Sequence, residues 1–173
     1  MKKAVKNILA VALIGSMALS MTSCSKIKPV STKDFEKAIE EVFDCDDKDD
    51  EFFEYEGKDY EYVGYSDNNI YVVCYVYDDE DDAYDAFDDI YDEYEDMMDD
   101  KDFEGKSKAV FTDTYGYITL NGEADTKGWM DDEIYGGFYF SGDTFITVMT
   151  TSTSDKKVNL VKDFLNEIGY PKP

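Results

Sequence analysis

Residues 60–77 read Tyr-Glu-Tyr-Val-Gly-Tyr-Ser-Asp-Asn-Asn-Ile-Tyr-Val-Val-Cys-Tyr-Val-Tyr. Two runs rich in aromatic and β-branched residues flank the segment from Ser66 to Asn69, whose Asp and Asn residues tolerate the backbone conformations of tight turns. The stretch therefore predicts a β-hairpin made of strands 60–65 and 70–77.

Segments with helical spacing lie on both sides of this hairpin and at the end of the chain. Ser31 or Thr32 is a candidate N-cap, and apolar residues three and four apart predict a helix from there to about Cys45. The same spacing predicts a long helix from about Asp79 to Asp99 and a last helix from about Ser154 to Ile168.

Further strands are predicted at 52–56 and, after the long helix, at 107–114, 115–121, 134–140 and 143–151. The fold class is therefore α+β, an antiparallel sheet of about five to six strands with three helices packed on one face. A hairpin followed by a helix occurs twice, in 60–94 and in 136–169. This order is interpreted either as a pseudo-duplicated ββα unit or as a coincidence of secondary structure.

The first residues of the chain have the three parts of a secretion signal. Three lysines among the first six residues precede an apolar run from Ile8 to Leu19, and the small or tolerated residues Met21, Thr22 and Ser23 then lead to Cys24. The segment resembles the type II signal peptide of bacterial lipoproteins, with Met21 where that motif most often has leucine. The resemblance implies that Cys24 is lipidated and becomes the mature N-terminus, on the outer side of the cell membrane. The alternative is an ordinary cleaved signal followed by secretion.

The signal sets the division of the chain. Residues 1–23 are the signal peptide, residues 24–31 are the lipidated cysteine and a tether, and residues 32–173 are a single acidic α+β domain. Removing residues 1–23 takes three lysines and changes the formal charge from −24 to −27. This charge excludes nucleic acid as a partner and disfavours direct contact with anionic lipid, so the N-terminal lipid is the expected membrane contact.

The missing residue types bear on catalysis. The chain has no His, so Ser-His and Cys-His nucleophile pairs cannot form. It also has no Arg, the residue that binds a phosphate or carboxylate through two parallel hydrogen bonds. Lysine or a carboxylate with a raised pKa still permits acid–base chemistry. The chain is therefore expected not to be an enzyme, with a carboxylate-dependent enzyme as the least favoured alternative.

The long helix is strongly acidic, since 14 of the 23 residues from Asp78 to Asp100 are Asp or Glu. One interpretation is a solvated face that keeps the protein soluble, and the other is a binding face for Ca²⁺, Mg²⁺ or a cationic peptide. Ion binding there is expected to be weak and diffuse, in about the millimolar range. The candidate ligands are Asp85, Asp88, Asp89, Asp92 and Asp96.

Tyrosines alternate with aliphatic residues along the predicted strands. The aliphatic residues are expected to lie under the helices, which leaves the tyrosines on the sheet face away from them. They form a candidate aromatic surface for a glycan, a peptide or another envelope protein, unless the loop 122–132 with Trp129 folds over it. Its candidate residues are Tyr60, Tyr62, Tyr71, Tyr75, Tyr77, Tyr115 and Tyr117.

Two cysteines remain once Cys24 is assigned to lipid. Cys45 and Cys74 are interpreted either as a disulfide, which an extracytoplasmic location permits, or as two buried free thiols. No cofactor is expected beyond weakly bound Ca²⁺ or Mg²⁺. The function expected from the sequence is that of a lipid-anchored, non-catalytic binding module of the cell envelope. The alternatives are a surface protein that binds Ca²⁺ or Mg²⁺ weakly and a carboxylate-dependent enzyme.

Overall fold

The computed structural model describes residues 26–125 and 131–173, which form three helices and seven strands. In chain order these are α1 (Thr32–Phe43), β1 (Phe52–Glu56), β2 (Tyr60–Ser66), β3 (Ile70–Tyr77), α2 (Glu80–Asp100), β4 (Phe103–Thr112), β5 (Tyr115–Asp125), β6 (Asp131–Ser141), β7 (Thr144–Thr150) and α3 (Asp155–Glu167).

The strands form one sheet in the order β1-β2-β3-β7-β6-β5-β4, and every neighbouring pair is antiparallel. The predicted α+β class is confirmed. The sheet has seven strands and not five to six, because both the short strand β1 and the strand β4 pair into it as its two edges. β3 and β7 pair at its centre, where Cys74 lies opposite Ile146.

Side-chain caps explain where each helix begins. Ser31 accepts a hydrogen bond from the amide of Asp34 at the start of α1, and Ser154 does the same for Lys157 at the start of α3. Asp79 caps α2, whose first turn carries three further acids, and acids at a helix N-terminus complement the helix dipole.

Helices cover both faces of the sheet. On the face that we call the α1/α3 face, Phe35 of α1 meets Phe164 of α3 at a ring centroid distance of 5.0 Å. On the opposite face, the α2 face, Phe87 packs edge to face on Phe111 at 5.0 Å. Phe87 reaches the sheet because Gly116 has no side chain, and a Cβ there would lie 2.6 Å from the Phe87 ring.

The expectation that all three helices pack on one face is therefore wrong. The central strands explain why, since they are apolar on both faces. Val72 and Ile146 are buried on the α1/α3 face, while Val73 and Phe145 are buried on the other. A sheet that is apolar on both sides needs a cover on each.

The two hairpin–helix stretches are not a structural repeat. Their second strands, β3 and β7, are adjacent and antiparallel. Two copies of one unit that met in this way would carry their helices on the same face, because an axis normal to the sheet would relate them. Instead α2 and α3 lie on opposite faces. The shared order of elements is a coincidence of secondary structure.

The described part of the predicted tether, residues 26–31, packs on the domain. Ile27 is buried in the core of the α1/α3 face. The carbonyl of Ile27 accepts a hydrogen bond from Ser141 at 3.2 Å, and the carbonyl of Lys28 accepts one from Tyr170 at 2.7 Å. From Lys26 onward this segment is therefore part of the fold.

No helix among the described residues has the length and apolar character needed to cross a membrane.

Candidate binding surface on the sheet

The strand register places a row of aromatic rings across four strands of the α2 face. Tyr55 lies opposite Tyr62, Tyr62 opposite Tyr75, and Tyr75 opposite Phe145. The ring centroids of these pairs are 5.5, 5.2 and 6.4 Å apart. These separations are within the range in which aromatic pairs attract each other.

Two further contacts widen this row. Tyr60 lies opposite Tyr77 with ring centroids 6.1 Å apart. The ring of Phe53 crosses β2 over Gly64 and stacks on Tyr71 at 6.1 Å. A Cβ at Gly64 would lie 2.4 Å from the Phe53 ring, so this crossing requires glycine. We call the resulting set the aromatic surface; it consists of Phe53, Tyr55, Tyr60, Tyr62, Tyr71, Tyr75 and Tyr77.

The aromatic surface is open because α2 covers the other end of the same face. Tyr84 and Phe87 of α2 pack on Phe140 with ring centroids 5.8 and 5.2 Å away, toward β5 and β4. Over β1 to β3, Tyr55 keeps 46% of its surface exposed, Tyr60 39% and Tyr71 38%. Contiguous aromatic rings exposed to this extent are unusual on a protein without a partner.

A cleft separates the aromatic surface from α2. Its volume is about 260 Å³. Tyr71 and Tyr75 line one side of it, Ile90 of α2 the other, and Phe138 and Phe145 the floor. Its lining is mostly apolar, so it suits an apolar side chain.

One side of α2 brings negative charge to this cleft. Asp82 and Asp89 are seven residues apart and therefore lie on the same side of the helix, about 80° and about 100° around its axis from Ile90. We call these two carboxylates the acidic flank; both are exposed. Burial raises the pKa of the Tyr77 phenol, and the negative charge of Asp82 raises it further.

The phenols of Tyr75 and Tyr77 have raised pKa values and are neutral at physiological pH. Burial raises the pKa of Tyr75, and the neighbouring Tyr71 adds to the effect through its charge and a hydrogen bond. A neutral phenol donates and accepts hydrogen bonds and keeps an electron-rich ring face. The aromatic surface therefore offers both polar and π contacts.

The structure brings five of the predicted tyrosines together and separates two from them. Tyr115 and Tyr117 lie on the α1/α3 face, because their strand β5 presents Ile118 and Leu120 to α2. Their assignment to the surface is wrong. Sequence reasoning missed Phe53 and Tyr55, although their alternation in the predicted strand 52–56 is the signal that identifies them.

The aromatic surface also shares its face with a helix, which contradicts the expectation that the tyrosines face away from all helices. The tyrosine strands and the acidic helix, which the sequence presents as separate candidates, are therefore neighbours. The predicted covering loop 122–132 is partly strand, since β5 extends to Asp125 and β6 begins at Asp131. Trp129 lies outside the described residues, and so does Cys24.

The predicted metal ligands lie along α2, and Asp88 is the only one of them that is partly buried; the others are exposed. Within residues 26–125 and 131–173, no three Cys, Asp or Glu side chains converge as metal ligands would. The candidates are Asp85, Asp88, Asp89, Asp92 and Asp96.

The two described cysteines are separate free thiols, and the disulfide interpretation is wrong. Cys74 contacts the carbonyl of Val30, just before α1, whereas Cys45 follows the end of α1. A helix of 12 residues spans about 18 Å, far beyond the Cα separation that a disulfide allows. Burial also raises the pKa of the Cys45 thiol to about 11, so this thiol is protonated and unreactive at neutral pH.

Comparison with known proteins adds no relative: no family model, no curated protein and no solved structure matches this chain.

Proposed function

We propose that this protein is a lipid-anchored module of the cell envelope that binds a partner through the aromatic surface and performs no catalysis. The observation that carries the proposal is the contiguous set of seven rings on β1 to β3 of the α2 face. Since α2 covers the rest of that face, the open part is available to another molecule.

The rings are arranged in a way that favours binding over simple exposure. Each ring of the row contacts its neighbours, so the surface is held in place by the sheet and loses little side-chain freedom when a partner binds. Aromatic residues held in this way supply much of the binding energy at protein interfaces. The surface is therefore preorganised.

The N-terminal segment supports the anchored location. Only Ser25 separates Cys24 from Lys26, where the folded domain begins. A lipid on Cys24 would therefore hold the domain close to the membrane, with the end of β6 nearest to it, because Ser141 at that end donates a hydrogen bond to the carbonyl of Ile27.

The chemistry of the described residues supports a role without catalysis. The chain offers no His or Arg. The buried thiols are protonated, because burial also raises the pKa of Cys74. Asp67, a carboxylate with a lowered pKa, is engaged in a structural ion pair with Lys157. A general acid or base needs a pKa near the working pH. The raised pKa values of the two thiols and the lowered pKa of Asp67 lie further from neutral pH than the ordinary values of these groups do.

The anchor is tested by labelling. Cells that produce the chain are fed a radioactive or clickable fatty acid and then fractionated. The chain should carry the label and sediment with membranes, and the variant Cys24→Ala should lose both properties. Label on the variant, or a chain free of label, would refute lipidation at Cys24.

The binding surface is tested by site-specific crosslinking in intact cells. A photoreactive phenylalanine analogue replaces Tyr71 on the aromatic surface or, as the control, Asn159, which is exposed on α3 of the other face. Discrete adducts should form from position 71 and not from position 159. Equal adducts from both positions, or none from position 71, would contradict the proposal.

A further inference from the structure

We propose that the partner of the aromatic surface is a cationic protein segment, with lysine or arginine side chains on either side of one apolar anchor. This inference rests on the proposed function and names the chemistry of the partner. The observation behind it is the arrangement of three features side by side: exposed ring faces, an apolar cleft and the acidic flank of α2.

The charged residues of β2, β3 and α2 are all acidic, and Lys58 in the β1–β2 turn is paired with Asp59 at 4.0 Å. No lysine occurs between Lys58 and Lys101, a range that contains β2, β3 and α2. Ile90 lines the cleft, and Asp82 and Asp89 of the acidic flank lie within about 100° of it around the helix, whereas Asp81 and Asp88 lie about 160–180° away. A cation that approaches the rings therefore meets carboxylates and no competing ammonium group of these elements.

The rings add attraction for the same type of group. An ammonium or guanidinium group is drawn to the face of a tyrosine ring, and the exposed faces of Tyr55, Tyr60 and Tyr71 are the accessible ones. The chain already makes such contacts elsewhere: Lys162 lies 5.3 Å from the centroid of the Tyr135 ring. On the aromatic surface, β2, β3 and α2 provide no lysine or arginine that could make such a contact.

The cleft determines the remaining part of the partner. Its volume of about 260 Å³ and its lining of Tyr71, Ile90, Phe138 and Met149 suit one leucine or phenylalanine side chain. An extended peptide that inserts this anchor places its flanking residues over the rings on one side and beside the acidic flank on the other. A neutral glycan would stack on the rings but would gain nothing from the carboxylates.

The test measures binding of fluorescent peptides to the purified full-length chain by anisotropy. The probe peptide has four lysines around one leucine. Two comparison peptides replace the leucine by glycine or the lysines by glutamates, and an oligomer of N-acetylglucosamine represents a neutral glycan. The lysine–leucine peptide should bind most tightly, and its affinity should fall as salt rises from about 20 to about 300 mM.

Paired variants separate local charge from the net charge of the chain. Asp82→Asn with Asp89→Asn removes the acidic flank, whereas Asp81→Asn with Asp88→Asn removes the same charge one residue away, which is about 100° around the helix. The first pair should weaken peptide binding about five-fold at low salt, and the second pair much less. The variant Tyr60→Ala with Tyr71→Ala should weaken it as well, by about five-fold or more.

Three results would overturn the inference. Equal losses from the two aspartate pairs would mean that the peptide senses only net charge. Equal affinities of the lysine–leucine and lysine–glycine peptides would show that the cleft does not bind an apolar anchor side chain. Binding of the glycan and not of the peptide, lost in the tyrosine variant, would leave the aromatic surface as a binding site and assign it another ligand class. Crosslinking from position 71 reports on the proposed function independently, so the failures of the two proposals are distinguishable.

Discussion

The strongest single interaction available for a quantitative test is the ion pair that joins the β2–β3 turn to α3. Asp67 in the turn accepts hydrogen bonds from the amides of Asn69 and Ile70 at 2.8 and 2.7 Å and from the hydroxyl of Tyr65 at 3.1 Å. Its other partner is the ammonium group of Lys157 in the first turn of α3. Both charged side chains are largely buried.

The stabilisation follows from the pKa of Asp67. Burial acts to raise this pKa, but the bonds from Lys157, the two amides and Tyr65 outweigh burial and lower it from 3.8 to about 2. A folded-state pKa below the unfolded-state value stabilises the folded protein above pH 3.8, and this stabilisation is lost as the pH falls toward 2. At neutral pH it amounts to about 2 kcal/mol, and at pH 3 to about half of that.

We therefore expect Asp67→Asn to lower the free energy of unfolding by about 2 kcal/mol at pH 7, measured by urea denaturation. The difference from the parent chain should shrink between pH 4 and pH 2. The control is Asp113→Asn, which removes the same charge from an exposed position in the β4–β5 turn and should change stability by less than about 0.5 kcal/mol. The double variant Asp67→Asn with Lys157→Met should lose less free energy of unfolding than the two single variants together, because each single change already breaks the same ion pair.

Two outcomes would refute this reasoning. If Asp67→Asn and Asp113→Asn have equal effects at pH 7, the turn is stabilised by something other than the charge of Asp67. If the loss in Asp67→Asn is the same at pH 2.5 as at pH 7, the pKa of Asp67 is not lowered in the folded state.

Three further predictions concern packing and thiol chemistry. Gly64→Ala should lower the free energy of unfolding by about 1–3 kcal/mol, because its Cβ would meet both the Phe53 ring and the backbone of Val72; a neutral result in urea denaturation would contradict the crossing of Phe53 over β2. Phe87→Ala should cost about 3–5 kcal/mol in the same assay, since its fully buried ring joins α2 to the sheet, and a loss below 1 kcal/mol would argue against that role. In a Cys24→Ser chain at pH 8, a thiol reagent should modify Cys45 and Cys74 only as fast as the protein unfolds; rapid reaction in the folded state would show that these thiols are accessible.

The elements were predictable from the sequence because their signals are local. The hairpin of strands 60–65 and 70–77 follows from a turn rich in Asp and Asn between two β-forming runs, and β2 and β3 match it within a residue. The long helix follows from its 3.6-residue period and its acidic N-terminus, and α2 confirms it within a residue or two. These features depend on neighbours a few positions apart.

The candidate surface was predictable only in part. Alternation places Tyr71, Tyr75 and Tyr77 on one face of β3, which the sequence alone reveals. Alternation also groups Tyr115 with Tyr117, but it cannot say which side of the sheet they share with other tyrosines. That side depends on the register between β5 and β6 and on the strand order, which are long-range pairings.

What the sequence by itself determined is therefore the content of the chain: three amphipathic helices, alternating strands, a large negative charge and no histidine. Only the tertiary structure decided the assembly. The central strands are apolar on both faces, so α2 packs on the face opposite α1 and α3. That placement puts the acidic helix on the same face as the tyrosines of the aromatic surface. Local patterns report which residues prefer burial, whereas the partner of each buried face is chosen by the packing of the whole chain.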